Sequence, residues 1–533
     1  VKNSLNKTLI FILILLSAAA LRLPRLSMRP MHTDEAIHAV KLGLLLEKGE
    51  YTYDSHEYHG PTLNYFTLIP AWLRAEKTYI GINETTMRLV TVAFGIGLIL
   101  LLLPAVDGLS RPVVLAASFL TAVSPAMVFY SRYYIMEILL VFFSFGVIVS
   151  GYRYFKSKKI LWAAFAGLFI GLMHATKETC IIVYGAMGLA LLLVWLLWYR
   201  KSFPGSGPDK KFRISHLLVF IISAAFISAI FFSSFGSNPK GVLDSILTFK
   251  SYFVKAGNFE THIYPWDYYF KLLLYSESAG GPVWTEFFIL ILGALGFLVA
   301  VLSHGVKNVN SAFLRFIALY TFILAAVYSI IPYKTPWIIL GFLHGFILLA
   351  AVGVIYLLHV RAETVPRVIM ILFLIAGGLH LAMQSYFSNF KYFTDPGNPY
   401  VYSHPGNDVF AITQRIKDLA KTSPDGFNTY IEVICPDDDY WPLPWYLREF
   451  PNIGWWNKVN MQNPAAPIIL ASPRVEQDVM YKLYEIPPPG QKNLYLPLFD
   501  TYMDIRPLIE IRGYVQKELW DRYYYQQTSD TNQ

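Results

Sequence analysis

Residues Thr85 to Val106 read TTMRLVTVAFGIGLILLLLPAV, an apolar run whose one charge is Arg88, near its start. A helix of about 20 such residues crosses the hydrocarbon core of a bilayer. A helix also closes its backbone hydrogen bonds within its own segment, which lipid demands. The same texture returns at Thr8 to Leu23, Pro112 to Tyr130, Ile135 to Tyr152, Ile160 to Ala175 and Thr179 to Trp198. It continues at Ile214 to Phe235, Trp284 to Ser303, Ala312 to Ile331, Pro336 to Leu358 and Val368 to Phe387. The expected fold is mainly α, a polytopic helical membrane bundle of about eleven transmembrane helices. The first run follows Lys2 and Lys7 and contains Ser17-Ala18-Ala19-Ala20, so it also reads as a cleavable signal peptide. The later runs require insertion on either reading.

Composition agrees, since 55% hydrophobic against 15% charged residues in 533 excludes an ordinary soluble protein. The net charge of +8 is not a nucleic-acid footprint, because the basic residues sit in short loops between apolar runs. Cys180 lies in a span and Cys435 in the tail, settings too different to imply a disulfide or metal framework.

Cytoplasmic loops of membrane proteins carry excess Lys and Arg. With the N-terminus inside, the inner loops carry Arg111; Arg153, Lys156, Lys158 and Lys159; Arg200, Lys201, Lys210, Lys211 and Arg213; Lys307; and Arg361 with Arg367. Arg22, Arg25 and Arg29 fall outside and break the pattern. The outer face then receives the first loop 24–84, the turns 131–134, 174–178 and 332–336, the segment 236–283 and the tail. Two domains are expected: a transmembrane domain over 1–387 and an extracytoplasmic soluble α/β domain over 388–533. Ionisable groups at membrane-helix ends are costly unless paired or hydrated, so their gathering on one side points to a working cavity.

The richest outer segment is Met31-His32-Thr33-Asp34-Glu35-Ala36, continued by Ile37, Val40 and Leu44 at helical spacing. Thr33 reads as an N-cap, and Asp34 and Glu35 suit a helix dipole. The alternative is chemical: one carboxylate acts as general base towards an acceptor hydroxyl while its neighbour orients it or binds a metal. In Asp54-Ser55-His56-Glu57-Tyr58-His59-Gly60-Pro61, Gly60-Pro61 marks a turn. His56 and His59 are candidate ligands of a divalent metal, although no third ligand is defined and no cofactor is required. His59 also suits a hydrogen bond to phosphate or sugar. Arg132 and Lys177, at outer helix ends with Glu137 and Glu178 nearby in sequence, either neutralise a phosphate leaving group or pair with carboxylates. Arg88 and Lys334 extend the cationic set, and Trp337 suits an interfacial anchor.

In the tail, Asn428 to Cys435 and Pro467 to Ala471 read as strands and Tyr440 to Phe450 as a helix, a small α/β arrangement. Asp437-Asp438-Asp439 lies between strand and helix, where capping acids are ordinary and a metal site is the alternative.

Asp34-Glu35 in the first outer loop, with Arg132 followed by Glu137, resembles the GT-C membrane glycosyltransferases, the dolichyl-phosphate-mannose protein mannosyltransferase-like superfamily. The acidic residue after the arginine is commonly aspartate there, and here it is Glu137. More narrowly, His59-Gly60-Pro61, Arg88, Arg132, Pro332-Tyr333-Lys334-Thr335-Pro336-Trp337 and Trp441-Pro442-Leu443-Pro444-Trp445-Tyr446 resemble a flippase-activity-associated family of archaea and some bacteria. The resemblance implies transfer of a mannose-like sugar from a polyprenyl-phosphate donor to a glycan, lipid or protein acceptor, with inversion. It implies Asp34 as base, Glu35 and Glu137 in support, and His59, Arg88, Arg132, Lys177 and Lys334 on the donor phosphate. Translocation of the lipid-linked sugar without chemistry, and a non-catalytic scaffold, are the competing readings.

Overall fold

The computed structural model describes residues 2–54, 59–199, 213–255, 262–277, 281–302, 306–360 and 363–531. Each apolar run is helical: α1 (Lys2–Arg22), α4 (Glu84–Leu100), α5 (Arg111–Val123) with α6 (Pro125–Ser131), α7 (Glu137–Ser157), α8 (Ile160–His174) and α9 (Cys180–Val194) come first. They are followed by α10 (Ile214–Phe232), α13 (Phe287–Leu302), α14 (Ser311–Ile330), α15 (Ile339–His359) and α16 (Thr364–Tyr386). Among the described residues, 7 spans are long and apolar enough to cross a membrane, or 8 counting the bent pair once, while Ile160–His174 and Phe287–Leu302 are shorter apolar helices. The expected span over Pro112 to Tyr130 is therefore two helices, bent by 62°. The cause is local: Pro125 lacks an N–H, and the Ser124 hydroxyl caps the second piece by accepting from Met127 N.

Four further helices lie between the spans: α2 (Thr33–Lys48), α3 (Thr62–Leu73), α11 (Lys240–Lys255) and α12 (Tyr268–Leu274). Helices α13 and α15 cross backbone to backbone, because a Cβ on Gly296 would stand 1.9 Å from the Leu349 carbonyl oxygen. That crossing fixes α15 as an inner wall of the bundle.

The tail forms a five-stranded sheet. Strand β1 (Ile431–Ile434) runs parallel to β2 (Ile453–Trp456) and β3 (Ile468–Ala471). Strand β4 (Tyr495–Pro497) pairs antiparallel with β7 (Arg512–Gln516), which pairs antiparallel with β3, and β5 (Asp504–Arg506) pairs with β6 (Ile509–Glu510) in a separate ribbon. The expected helix over Tyr440 to Phe450 shrinks to Leu443–Tyr446. Pro442 and Pro444 remove the donors a longer helix needs.

The tail packs on the end of the bundle that carries the first loop. Met31 N donates to Tyr446 Oη at 2.7 Å, Trp445 Nε1 donates to Glu84 at 2.8 Å and Arg448 donates to the Ile82 carbonyl at 3.1 Å. Arg153, Lys156 and Asp107 pair with one another among the basic loops.

Candidate active site

Helix α2 begins differently from the expectation. His32, not Thr33, is the N-cap: its Nδ1 accepts from Asp34 N at 3.0 Å, and the Glu35 carboxylate accepts from His32 N at 3.0 Å. The same Glu35 carboxylate receives Arg88 through both oxygens, at 2.7 and 2.6 Å, and accepts from Tyr134 N at 2.8 Å. Arg88 also donates to the carbonyls of Leu26, Arg29 and Pro30. Both side chains are fully buried. Burial opposes Glu35's charge, but Arg88, Arg29 and the Tyr134 amide bring its carboxyl below the ordinary range. Glu35 and Arg88 thus form an anchor joining α2, α4 and the 131–136 turn. Arg88's donors are committed to that anchor.

Asp34 is held by that anchor yet points elsewhere, with 42% of its side chain exposed. Its carboxylate lies 3.8 Å from His32 Nδ1. The His32 ring packs edge-on to Tyr133 and Trp337 and sits 4.8 Å from His404. One turn along α2 is His38, buried against Tyr134, its Nδ1 without a hydrogen-bond partner among the described residues. Burial holds this imidazole neutral, its pKa lowered to about 3, with His59 and Lys177 adding to the effect and Asp34 and Glu35 opposing it. Tyr333 feels Lys177, Asp34 and Glu137 together. Sequence reasoning passed over His38, although its i,i+4 spacing from Asp34 was a usable signal.

Glu137 and Lys177 form a buried ion pair at the head of a narrow cleft. Tyr328, Trp337, Leu324 and Leu340 are among its walls. Val141, Ser144, Tyr320 and Gly341 are shared with a second, apolar stretch that reaches Phe145, Ile148, Leu348 and His344. The two make one groove between α7, α14 and α15, polar at the top and apolar below. Trp337 joins it to Asp34, since it lines the cleft and packs on His32.

The other expected donor ligands are dispersed. His59 Nδ1 lies 2.7 Å from Glu178 Oε2, and Tyr53 Oη donates to Glu178 Oε1 at 3.1 Å. Gly60 allows this turn to press on the next, since a Cβ there would meet the Ala175 carbonyl oxygen at 2.2 Å. His56 lies outside the described residues. Among those described, no three His, Cys, Asp or Glu side chains gather to hold a metal ion. Arg132 donates to the carbonyls of Arg22, Pro24 and Arg25. Lys334 Nζ donates to Ser329 O at 2.9 Å and to Ile331 O, capping the end of α14. Both cations thus donate to backbone carbonyls. Asp437 and Asp439 are paired with Arg474, and Asp439 also with Arg506, so these acids tie the tail together.

Residues 61–237 match the family model described as dolichyl-phosphate-mannose-protein mannosyltransferase. The whole chain superposes on ArnT from Cupriavidus metallidurans in the apo state with a TM-score of 0.62 and 13% identity, covering 94% of this chain and 97% of that one. The chain shares the fold of ArnT, and its residues 61–237 resemble the mannosyltransferase family. ArnT bound to undecaprenyl phosphate superposes on this chain with a TM-score of 0.57 and 12% identity, covering 94% of this chain and 97% of that one. The Archaeoglobus fulgidus oligosaccharyltransferase tethered with an acceptor peptide gives 0.50 and 13% identity over 84% of this chain. This chain spans 63% of that protein's length. At such identities the shared property is the fold. No curated protein sequence matches. The family match takes in Arg88, Arg132, Glu137, Lys177 and Glu178 but begins after Asp34 and Glu35.

Proposed function

We propose that this multi-pass membrane protein is a glycosyltransferase. It moves a sugar from a polyprenyl-phosphate carrier to an acceptor hydroxyl at the tail-bearing face, which is extracytoplasmic. The observation that carries the reading is Asp34: a half-exposed carboxylate fixed by its buried neighbour beside a cleft with a cationic head and an apolar body. A groove of that polarity suits a lipid phosphate above and its isoprenoid chain below. The structural neighbours support the donor class, since one ArnT structure holds undecaprenyl phosphate and an archaeal oligosaccharyltransferase structure holds a dolichol-phosphate. Mannose is the first sugar to test, on the family model's description.

In this mechanism Asp34 takes the proton of the acceptor hydroxyl as its oxygen attacks the anomeric carbon. The bond from that carbon to the phosphate oxygen breaks, and the lipid phosphate leaves with the electron pair. Lys177 turns towards the phosphate charge, with Glu137 holding the ammonium in place. One displacement inverts the anomeric centre. Glu35 is a positioning residue, and His59 steadies the 175–178 turn through Glu178. The basic loops about Arg153 and Lys156, at the other end of the bundle, support the orientation.

Translocation without transfer, as the flippase-associated family name suggests, would use the same groove. Asp34 favours transfer, because a carrier of anionic lipid gains nothing from a second negative charge near the phosphate. The test supplies radiolabelled polyprenyl-phosphate mannose and a cell-envelope extract to the protein in lipid nanodiscs. Label reaching an acceptor with the wild type and not with Asp34→Asn is the expected result. Saturable donor binding with no label moved, together with faster exposure of donor across reconstituted vesicles, would replace transfer by translocation.

A further inference from the structure

The charges around Arg132 do not balance. Arg22, Arg29, Arg88 and Arg132 are each at most 6% exposed. Arg132 feels the charges of the other arginines, Arg29, Arg88 and Arg22. Glu35 is the carboxylate bonded within the group, and Arg88 occupies both its oxygens, with Glu84 acting on Arg88 from farther off. The remaining arginines rest on neutral partners. Arg22 donates to the carbonyls of Thr121 and Ala122, at 2.8 and 2.9 Å. Arg29 lies 4.5 Å from the Phe129 ring centroid and 5.2 Å from that of Tyr133, and its Nε has no partner among the described residues. Carbonyls and rings satisfy N–H groups without cancelling charge, and unbalanced charge away from water is costly.

The cluster has one open side. Arg132 donates to the Arg25 carbonyl at 3.2 Å, and its guanidinium lies 4.6 Å from the Phe390 ring centroid. Arg25 supplies that carbonyl, and Lys391 follows Phe390 in the chain with its ammonium 5.7 and 5.0 Å from the Phe387 and Tyr392 ring centroids. Both are exposed, and neither pairs with a carboxylate among the described residues. Here the lipid-facing surfaces of α1 and α16 end, with Leu13, Leu16 and Leu23 exposed on or beside the first and Leu379, Met383 and Tyr386 on the second. Cations at the end of an apolar stripe stand at the depth of a leaflet's phosphates.

We infer that Arg25, Arg132 and Lys391 form a binding site for the phosphodiester headgroup of an acidic phospholipid, which supplies the counter-charge to the buried arginine cluster. Arg25, Arg132 and Lys391 are not among the residues that line the cleft, whose head is Glu137 and Lys177. The site also accounts for Arg22, Arg25 and Arg29 on the face where the loop pattern disfavours them. These residues bind backbone and headgroup rather than report orientation.

The full chain in neutral detergent, titrated with phosphatidylglycerol or phosphatidylcholine and read by native mass spectrometry, tests this directly. Retention of phosphatidylglycerol but not phosphatidylcholine is expected. The double variant Arg25→Gln/Lys391→Gln, altered only at exposed positions outside the cleft, should bind phosphatidylglycerol about thirty-fold more weakly, and Lys391→Gln alone about five-fold. Equal retention of the two lipids, or unchanged binding by the double variant, would overturn the site. Displacement of phosphatidylglycerol by equimolar polyprenyl phosphate would also overturn it, by assigning the patch to the donor.

Discussion

The Glu35–Arg88 pair and the Glu137–Lys177 pair lie at the same end of the bundle, yet only the second faces open space. Glu35 is saturated by Arg88, the His32 amide and the Tyr134 amide, and Arg88 by Glu35 and three carbonyls. Nothing in that pair is available to a ligand. Glu137 and Lys177 instead line a cleft, and Lys177 has Glu137 as its recorded side-chain hydrogen-bond partner. An ammonium carries three donors, so this one keeps capacity for an incoming phosphate. The difference teaches that, in a membrane bundle, burial of a charged pair does not reveal its role. Saturation marks the anchor, and unsatisfied donors beside a cavity mark the candidate site.

The comparison breaks most decisively at the anchor. Glu35→Ala leaves Arg88 buried without its carboxylate, which costs about 3–5 kcal/mol, a large part of a typical folding free energy. Folded protein should be largely lost, as read by size-exclusion and thermal unfolding in detergent; a normal profile would mean that α2 is held by something else. Asp34→Asn probes the neighbouring position with the opposite expectation. The fold and donor binding should persist while transfer falls about 10²–10⁴-fold, the range for a lost general base. Single-turnover transfer measured beside equilibrium donor binding separates the two. At the open pair, Lys177→Gln should weaken donor binding by about 1.5–3 kcal/mol, as expected for lost hydrogen bonds to a charged group, with a smaller change in Tm than Glu35→Ala. Should Lys177→Gln unfold the protein while leaving the affinity of the surviving fraction unchanged, the pair would be structural after all.

The smallest effect concerns pH. The His32, His38 and His404 imidazoles are held below their ordinary pKa by burial. Below the ordinary value near 6.5 the unfolded chain binds protons that the folded chain refuses, so stability falls as pH drops towards the folded pKa, about 3 for His38. Each such imidazole contributes a slope of about 1.4 kcal/mol per pH unit within that window. His38→Phe should flatten the fall of Tm between pH 6 and 4 (a range of about two units). An unchanged slope would show that His38 already takes up a proton in the folded state.

Much of this organisation was legible in the chain. The apolar runs named the helices, because twenty apolar residues leave the backbone no other way to satisfy itself in lipid. The gathering of ionisable residues in the outer turns pointed to Asp34, Glu137 and Lys177, which the structure brings near Tyr333. Strands β1 and β3 were visible as short runs rich in Ile, flanked by turn residues. The helix near Tyr440 is shorter than the expected Tyr440 to Phe450, because Pro442 and Pro444 remove backbone donors.

What the sequence determined by itself was class and cast: a polytopic bundle, a polar end, and a short set of ionisable residues that includes Asp34, Glu137 and Lys177. It could not sort that set. Arg88, Arg132, Lys177 and Lys334 are equivalent as letters, each a cation near a helix end. Only the tertiary structure assigned Arg88 to Glu35, Arg132 to the carbonyls of the first loop, Lys334 to the end of α14 and Lys177 to a cleft. The physical reason is that a cation's role is set by which donors remain unsatisfied and whether space adjoins them. Both depend on partners distant in sequence: Arg88 and Glu35 are 53 residues apart, and Arg132 and Arg22 are 110 apart.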